Sequence, residues 1–163
     1  MNIMHLNLIS TLNEAKNLDE VQILVSELFE QLDSFQEKAL EIKRSDRYVK
    51  RVQKIIAEKY SQSSLYTEGI AEELGITGKH LGKIFKAATG ISISQALTNK
   101  RLEEAEKLLR EGELPIREVA VAVGYTDDNS NYFSTLFKKK YGRTPTDYRM
   151  ENKGEKEQWI GNL

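Results

Sequence analysis

The stretch ISISQALTNKRLEEAEKLLREG, Ile91 to Gly112, decides the fold. It reads as one long helix. Ser92 or Ser94 can cap its start, Gly112 can end it, and Pro115 lies just beyond. Ile93, Leu97, Ala105, Leu108 and Leu109 recur at helical spacing among strong helix formers. Similar words flank it on both sides. Before it stand Ala71-Glu72-Glu73-Leu74-Gly75, Ile84-Phe85-Lys86 and Thr89-Gly90. After it stand Ala120-Val121-Ala122-Val123-Gly124, Leu136-Phe137-Lys138 and Tyr141-Gly142. The step from Ala to Gly is four residues in both copies, and from Phe to Gly five in both. This is an internal repeat whose copies are held apart by a rigid spacer.

With 163 residues there is room for one ordinary domain, or a small one with an appendage. The chain has no cysteine, which excludes disulfides, thiolate metal sites and Cys nucleophiles. Its two histidines, His5 and His80, are far apart in sequence. No cofactor, metal site or enzymatic activity is expected. No apolar run approaches the ~18 residues of a membrane span and no signal peptide opens the chain, so the expected compartment is the cytoplasm, with no membrane partner. Few Pro and Gly, with abundant Glu, Lys, Leu and Ala, predict an all-α protein.

Formal net charge is -1, but it is unevenly spread. Residues 1–45 hold 4 basic and 8 acidic side chains, residues 46–149 hold 18 and 14, and the remainder holds 2 and 3. An acidic front on a basic body is the asymmetry of a nucleic-acid binder with an attached module.

Residues 1–16 carry scattered apolar side chains that allow one short helix. From Leu18 the pattern sharpens: Val21, Leu24, Val25, Leu28, Leu32, Phe35, Ala39 and Ile42 recur at three- and four-residue steps. This N-terminal amphipathic helix packs within its own domain, forms a homodimer through residues 18–42, or is the last helix of a larger sensor module. Lys43-Arg44-Ser45-Asp46-Arg47 reads as a polar break, with Ser45 or Asp46 capping a helix from Tyr48 to Tyr60. The first repeat copy follows. Its helix over Thr67–Leu74 leads through Gly75-Ile76-Thr77 to a second helix, capped by Thr77 and ending near Ala88. Leu81, Ile84, Phe85 and Ala88 are expected inward; Lys79, Gly82, Lys83 and Lys86 outward. In the second copy Ile116, Val119, Ala120 and Val123 form the first helix, and the second runs from about Asn131 to Tyr141. Measured from Gly124 to Phe137 its turn is three residues longer than from Gly75 to Phe85. A short helix is expected from Thr144-Pro145 to near Arg149, then a mobile tail from residue 150 in which Trp159 and Ile160 are the docking groups.

The domains expected are therefore 1–45, a helical linker or dimerisation segment; 46–149, two helix-turn-helix subdomains joined by a long linker helix; and 150–163, the tail. Residues from about Tyr48 to Arg149 resemble the DNA-binding domain of the AraC/XylS family of transcription regulators. The words that carry the match are Leu81-Gly82-Lys83-Ile84-Phe85-Lys86, Arg101-Leu102-Glu103-Glu104-Ala105, Ile116-Arg117-Glu118-Val119-Ala120, Gly124-Tyr125-Thr126-Asp127, Asn131-Tyr132-Phe133-Ser134 and Gly142-Arg143-Thr144-Pro145. The resemblance implies sequence-specific binding of double-stranded DNA, with a recognition helix from each unit in successive major grooves. It also implies activation of transcription through contact with RNA polymerase. Carried over by position, the base-contacting residues are Lys79, Gly82 and Lys83 in the first unit, and Ser130, Asn131, Ser134 and Thr135 in the second. Two positions depart from the pattern: Gly82 stands where a polar reader is usual, and Thr135 where an arginine is common.

The chemistry fits that reading. Lys79 and Lys83, four residues apart on one helical face, can reach guanine O6 and N7. Lys86, Arg101, Lys138, Lys139, Lys140 and Arg143 suit phosphates. The spacer of roughly 19 residues spans about 28 Å, against about 34 Å between successive major grooves. The rival reading is a protein-interaction module that keeps the fold without its readers. Gly75-Ile76-Thr77-Gly78-Lys79 lacks the spacing of a phosphate loop, and adjacent acid pairs such as Glu72-Glu73 diverge on a helix.

Overall fold

The computed structural model describes residues 17–112 and 114–151. The short helix expected within residues 1–16, and the tail from residue 152 with Trp159 and Ile160, lie outside the described residues. All the regular structure described is helical. It comprises α1 (Leu18–Lys59), α2 (Thr67–Glu73), α3 (Gly78–Thr89), α4 (Ile93–Glu111), α5 (Ile116–Ala122), a 3-10 turn (Asp127–Asn129) and α6 (Ser130–Tyr141). A last helical segment covers residues 145–151. The chain divides into two units, Met1–Ser45 and Asp46–Leu163.

The break expected at Lys43–Arg47 is absent, because α1 is helical throughout its 42 residues. The segment is polar but holds neither Gly nor Pro. Lys and Arg are good helix formers, and a Ser or Asp inside a helix costs only about 0.5 kcal/mol. Ending one helix and nucleating another costs more.

In the first unit, Val21, Leu24 and Leu28 are half-buried. Further along, Leu32, Phe35 and Ile42 are exposed, Phe35 at 68%.

The second unit contains two cores, one for each repeat copy. The correspondence is residue by residue: Ile70 with Val119, Ala71 with Ala120, Leu74 with Val123, Leu81 with Phe133, and Phe85 with Phe137 are all buried. Ala at the crossing of two helices is what lets their backbones approach. The turn hydrogen bonds match as well. Gly75 N–H donates to Glu72 O and Ile76 N–H to Ala71 O; Gly124 N–H donates to Val121 O and Tyr125 N–H to Ala120 O, all at 3.0–3.1 Å. Gly75 and Gly124 take φ of +70° and +97°, a region that side chains disfavour.

The three extra residues of the second turn are the 3-10 turn itself. Thr77 precedes α3 directly and accepts from His80 N–H. Thr126, its counterpart, precedes Asp127–Asn129, and only then does α6 begin. The insertion is thus absorbed before the recognition helix and leaves the spacing inside it unchanged.

The spacer α4 has 19 residues, with Ser92 as N-cap accepting from Gln95 N–H and Gly112 as left-handed C-cap. Its N-terminal half buries Ile93 and Leu97 in the first core; its C-terminal half buries Leu102, Ala105 and Leu109 in the second. Tyr148 locks the end of the fold onto this helix. Its hydroxyl donates to Glu106 Oε1 at 2.7 Å and accepts from Arg110 Nε at 3.0 Å. The bond from Tyr148, with help from Arg110, holds the Glu106 carboxyl below its usual pKa. Tyr141 donates to Leu102 O at 3.3 Å, and burial pushes its hydroxyl well above its usual range.

Candidate nucleic-acid interface

The first recognition helix, α3, sorts its residues by face. Leu81 and Phe85 are buried, Ile84 is half-buried, and Lys79, Lys83 and Lys86 are exposed. Ala88, expected inward, is exposed. It sits in the last turn, where the chain leaves the core at the Gly90 cap. None of Lys79, Lys83 and Lys86 has an ion pair with a described residue. The spacer's cations differ: Lys100 and Lys107 both bridge to Glu104, and Arg110 to Glu106. Gly82 lies between the exposed lysines, and a Cβ built there meets no atom within 4 Å. That position leaves a gap in the face where the resemblance implies a reader.

The second recognition helix, α6, buries Phe133 and Phe137 and turns Asn131, Tyr132 and Thr135 to solvent. Two of its expected readers are already engaged. Ser134 Oγ donates to Ser130 O at 3.2 Å and Thr135 Oγ1 to Asn131 O at 3.0 Å, one turn back along their own helix. Their hydroxyls keep acceptor capacity only. Ser130 is half-buried at the helix start. Asn131 is the expected reader on this helix whose side chain is both exposed and unbonded among the described residues, and an Asn amide suits adenine N6 and N7. Tyr132 is not among the residues that the resemblance carries over. It is 58% exposed in the first turn of α6, edge-on to Tyr125 with ring centroids 6.5 Å apart. The signal that would have found it is its step of one from Phe133, which puts it on a different face.

The expected phosphate contacts divide likewise. Lys86, Lys138 and Lys139 are exposed and unpaired among the described residues. Lys140 Nζ instead donates to Asn99 O and Glu103 Oε1 on the spacer, at 3.2 and 3.1 Å. Arg143 pairs with Glu151 and lies over the Tyr148 ring. Arg101 donates from Nε to Tyr60 O and from Nη2 to Gln62 O, both at 2.8 Å. Burial lowers its pKa, an effect that Tyr125 partly offsets. Arg117 Nε bonds Asp127 Oδ1 at 2.9 Å, tying α5 to the 3-10 turn.

A helix-turn-helix domain family matches residues 70–151. Among curated proteins, the chain is 32% identical to the msm operon regulatory protein of Streptococcus mutans over 145 residues, 88% of this chain and 50% of that protein. The chain spans half or less of the length of the first such relatives it matches. Among solved structures, the C-terminal domain of AraT, a response regulator from Geobacillus stearothermophilus, is 42% identical with a TM-score of 0.61; the match covers 64% of this chain and 84% of that one. The DNA-binding domain of AdpA, solved in complex with a target DNA, shares the fold at 21% identity and a TM-score of 0.59, covering 66% of this chain and 97% of that one. No helix among the described residues is long and apolar enough to cross a membrane.

Proposed function

Because this chain belongs to the AraC-type helix-turn-helix family, whose members are DNA-binding transcription regulators, we propose that it reads a specific duplex site with α3 and α6 in successive major grooves. The observation that carries this reading is the outward face of α3. Lys79 and Lys83 lie four residues apart, exposed and free of described carboxylates, on a helix whose opposite face is buried in the first core. Uncommitted cations on a fixed helix are what base edges and phosphates need. Asn131 and Tyr132 supply the second unit's readout, with Ser134 and Thr135 as acceptors. Lys86, Lys138 and Lys139 hold phosphates. The net charge of -1 does not oppose this, since charges farther away than about 10 Å are largely screened at 0.1 M salt.

The test is selection of a binding site from random duplex DNA, followed by affinities for that site and for scrambled DNA. Lys83→Ala is expected to weaken binding to the selected site by about 1–3 kcal/mol with little change in thermal stability. Equal loss on scrambled DNA would make Lys83 a phosphate contact. No enrichment of any sequence would favour a protein-interaction module.

Activation through contact with RNA polymerase belongs to the same proposal, in line with the family resemblance. So does pairing of two copies through residues 18–42. Leu18, Val21, Val25, Leu28, Leu32, Phe35, Ala39 and Ile42 alternate steps of three and four without a gap, the spacing of a two-helix seam. Sedimentation equilibrium should give a dimer that Leu32→Asp converts to a monomer; a monomeric parent chain would remove this part of the proposal.

A further inference from the structure

Arg101 stands where three parts of the second unit meet. It leaves the middle of the spacer α4, and its Nε and Nη2 donate to Tyr60 O and Gln62 O, just past the end of α1. Tyr60 directly follows the last residue of α1, where carbonyls lack intrahelical partners; the Gln62 carbonyl, in the turn beyond, also accepts from Leu65 N–H at 3.1 Å. Its guanidinium also lies over the ring of Tyr125, 5.4 Å from the centroid, in the turn of the second unit. Next to Tyr125, Gly124 is pressed into the same junction. A Cβ on Gly124 would lie 2.6 Å from Tyr60 O and 3.0 Å from Arg101 Nε. Tyr60 packs against both cores. One side chain therefore ties the last helix before the first repeat copy, the spacer, and the turn that launches the second copy's recognition helix.

We propose that Arg101 is a positioning residue for paired readout, fixing the distance and angle at which α3 and α6 are presented to DNA. Its functional half rests on the two-groove reading above. Two linked reading heads gain affinity from one another only when their separation matches that of their sites, and a junction held in that geometry avoids the cost of ordering it on binding. The bidentate grip on two carbonyls explains why the position suits arginine: lysine has the charge but no planar fork. With Nε and Nη2 turned to protein carbonyls, Arg101 acts through the orientation of the units and not as a phosphate contact.

The experiment has two readouts. Because the chain lacks cysteine, Ala87→Cys and Lys139→Cys give two unique spin-label sites, on α3 and α6, for pulsed-EPR distances without DNA. The label-free chain is then titrated with its selected site and with versions that gain or lose one base pair between the half-sites. Expected for the parent is a narrow distance distribution and at least a tenfold loss on the shifted sites. For Arg101→Ala the distribution should broaden, affinity for the selected site should fall about tenfold, and the shifted sites should cost less than a further threefold. Arg101→Lys should fall between, and it remains a test if the alanine variant does not fold. Lys107→Ala, on the same helix, should match the parent. Distance distributions as narrow in both Arg101 variants as in the parent would overturn the proposal. So would a parent-like spacing dependence in both. A parent indifferent to spacing would instead sink the two-groove reading, whatever the distances show.

Discussion

Replacing Phe137 with alanine is expected to lower folding stability by about 3–5 kcal/mol, the usual range for a fully buried phenylalanine. Phe137 is 0% exposed and stands at the centre of the second core's aromatic group. Its ring centroid is 5.9 Å from Phe133, 4.5 Å from Tyr141 and 5.5 Å from Tyr148. Two of these rings are pinned by polar contacts to the spacer, Tyr141 to Leu102 O and Tyr148 to Glu106. They cannot collapse into the space without breaking those bonds, so the cavity persists and its full cost is felt. A small domain has roughly 5–15 kcal/mol in hand, and the loss is a large share of it. Urea unfolding followed by circular dichroism measures the effect. The matching change in the other copy, Phe85→Ala, should act on the first core in the same way. If the two cores unfold as one unit, both variants should shift a single transition. A loss below about 1 kcal/mol for Phe137→Ala would mean that the second core is not packed as described.

The repeat was legible in the sequence because its marks are set by sterics. Gly75 and Gly124 must take positive φ; Ala71 and Ala120 must be small where helices cross. Ser92 and Gly112 bound a helix in whatever tertiary setting it occurs. Other features depend on partners distant in sequence and were not legible. The carbonyls gripped by Arg101 lie 41 and 39 positions away, and nothing in the place of a basic residue on a spacer helix points to them. The bond from Lys140 to Asn99 O, 41 positions back, is hidden from the sequence for the same reason. The hydroxyls of Ser134 and Thr135 show a subtler limit. Their spacing places them on the reading face, but spacing does not tell whether a hydroxyl turns outward or back to its own helix. At Lys43–Arg47 polarity suggests a stop, but a helix is stopped by backbone geometry and not by charge, and α1 runs through it. The three-residue insertion could be counted but not placed until it appeared as a 3-10 turn.

Raising salt from 50 to 200 mM is expected to weaken binding to the selected site by between two and three orders of magnitude. Lys86, Lys138 and Lys139, assigned to phosphates, and Lys79 and Lys83, whose charges enter the groove between them, are exposed and without a described carboxylate partner, so each can displace a counterion from duplex DNA. About five such contacts give a slope of roughly -4.5 in log affinity against log salt, which over a fourfold rise is roughly a 500-fold loss. The engaged cations separate this expectation from a count of basic residues. If Arg101, Lys140 and Arg143 also met phosphates, the slope would approach about -7. Fluorescence anisotropy across a salt series reads it directly. The double variant Lys138→Ala, Lys139→Ala should reduce the slope by about 2 while leaving the preferred sequence unchanged, the mark of contacts that hold the backbone without reading bases. Lys83→Ala should change the preference as well as the strength. A parent slope shallower than about -2 would mean that these lysines do not meet the duplex, and α3 would then have to meet its partner by another face.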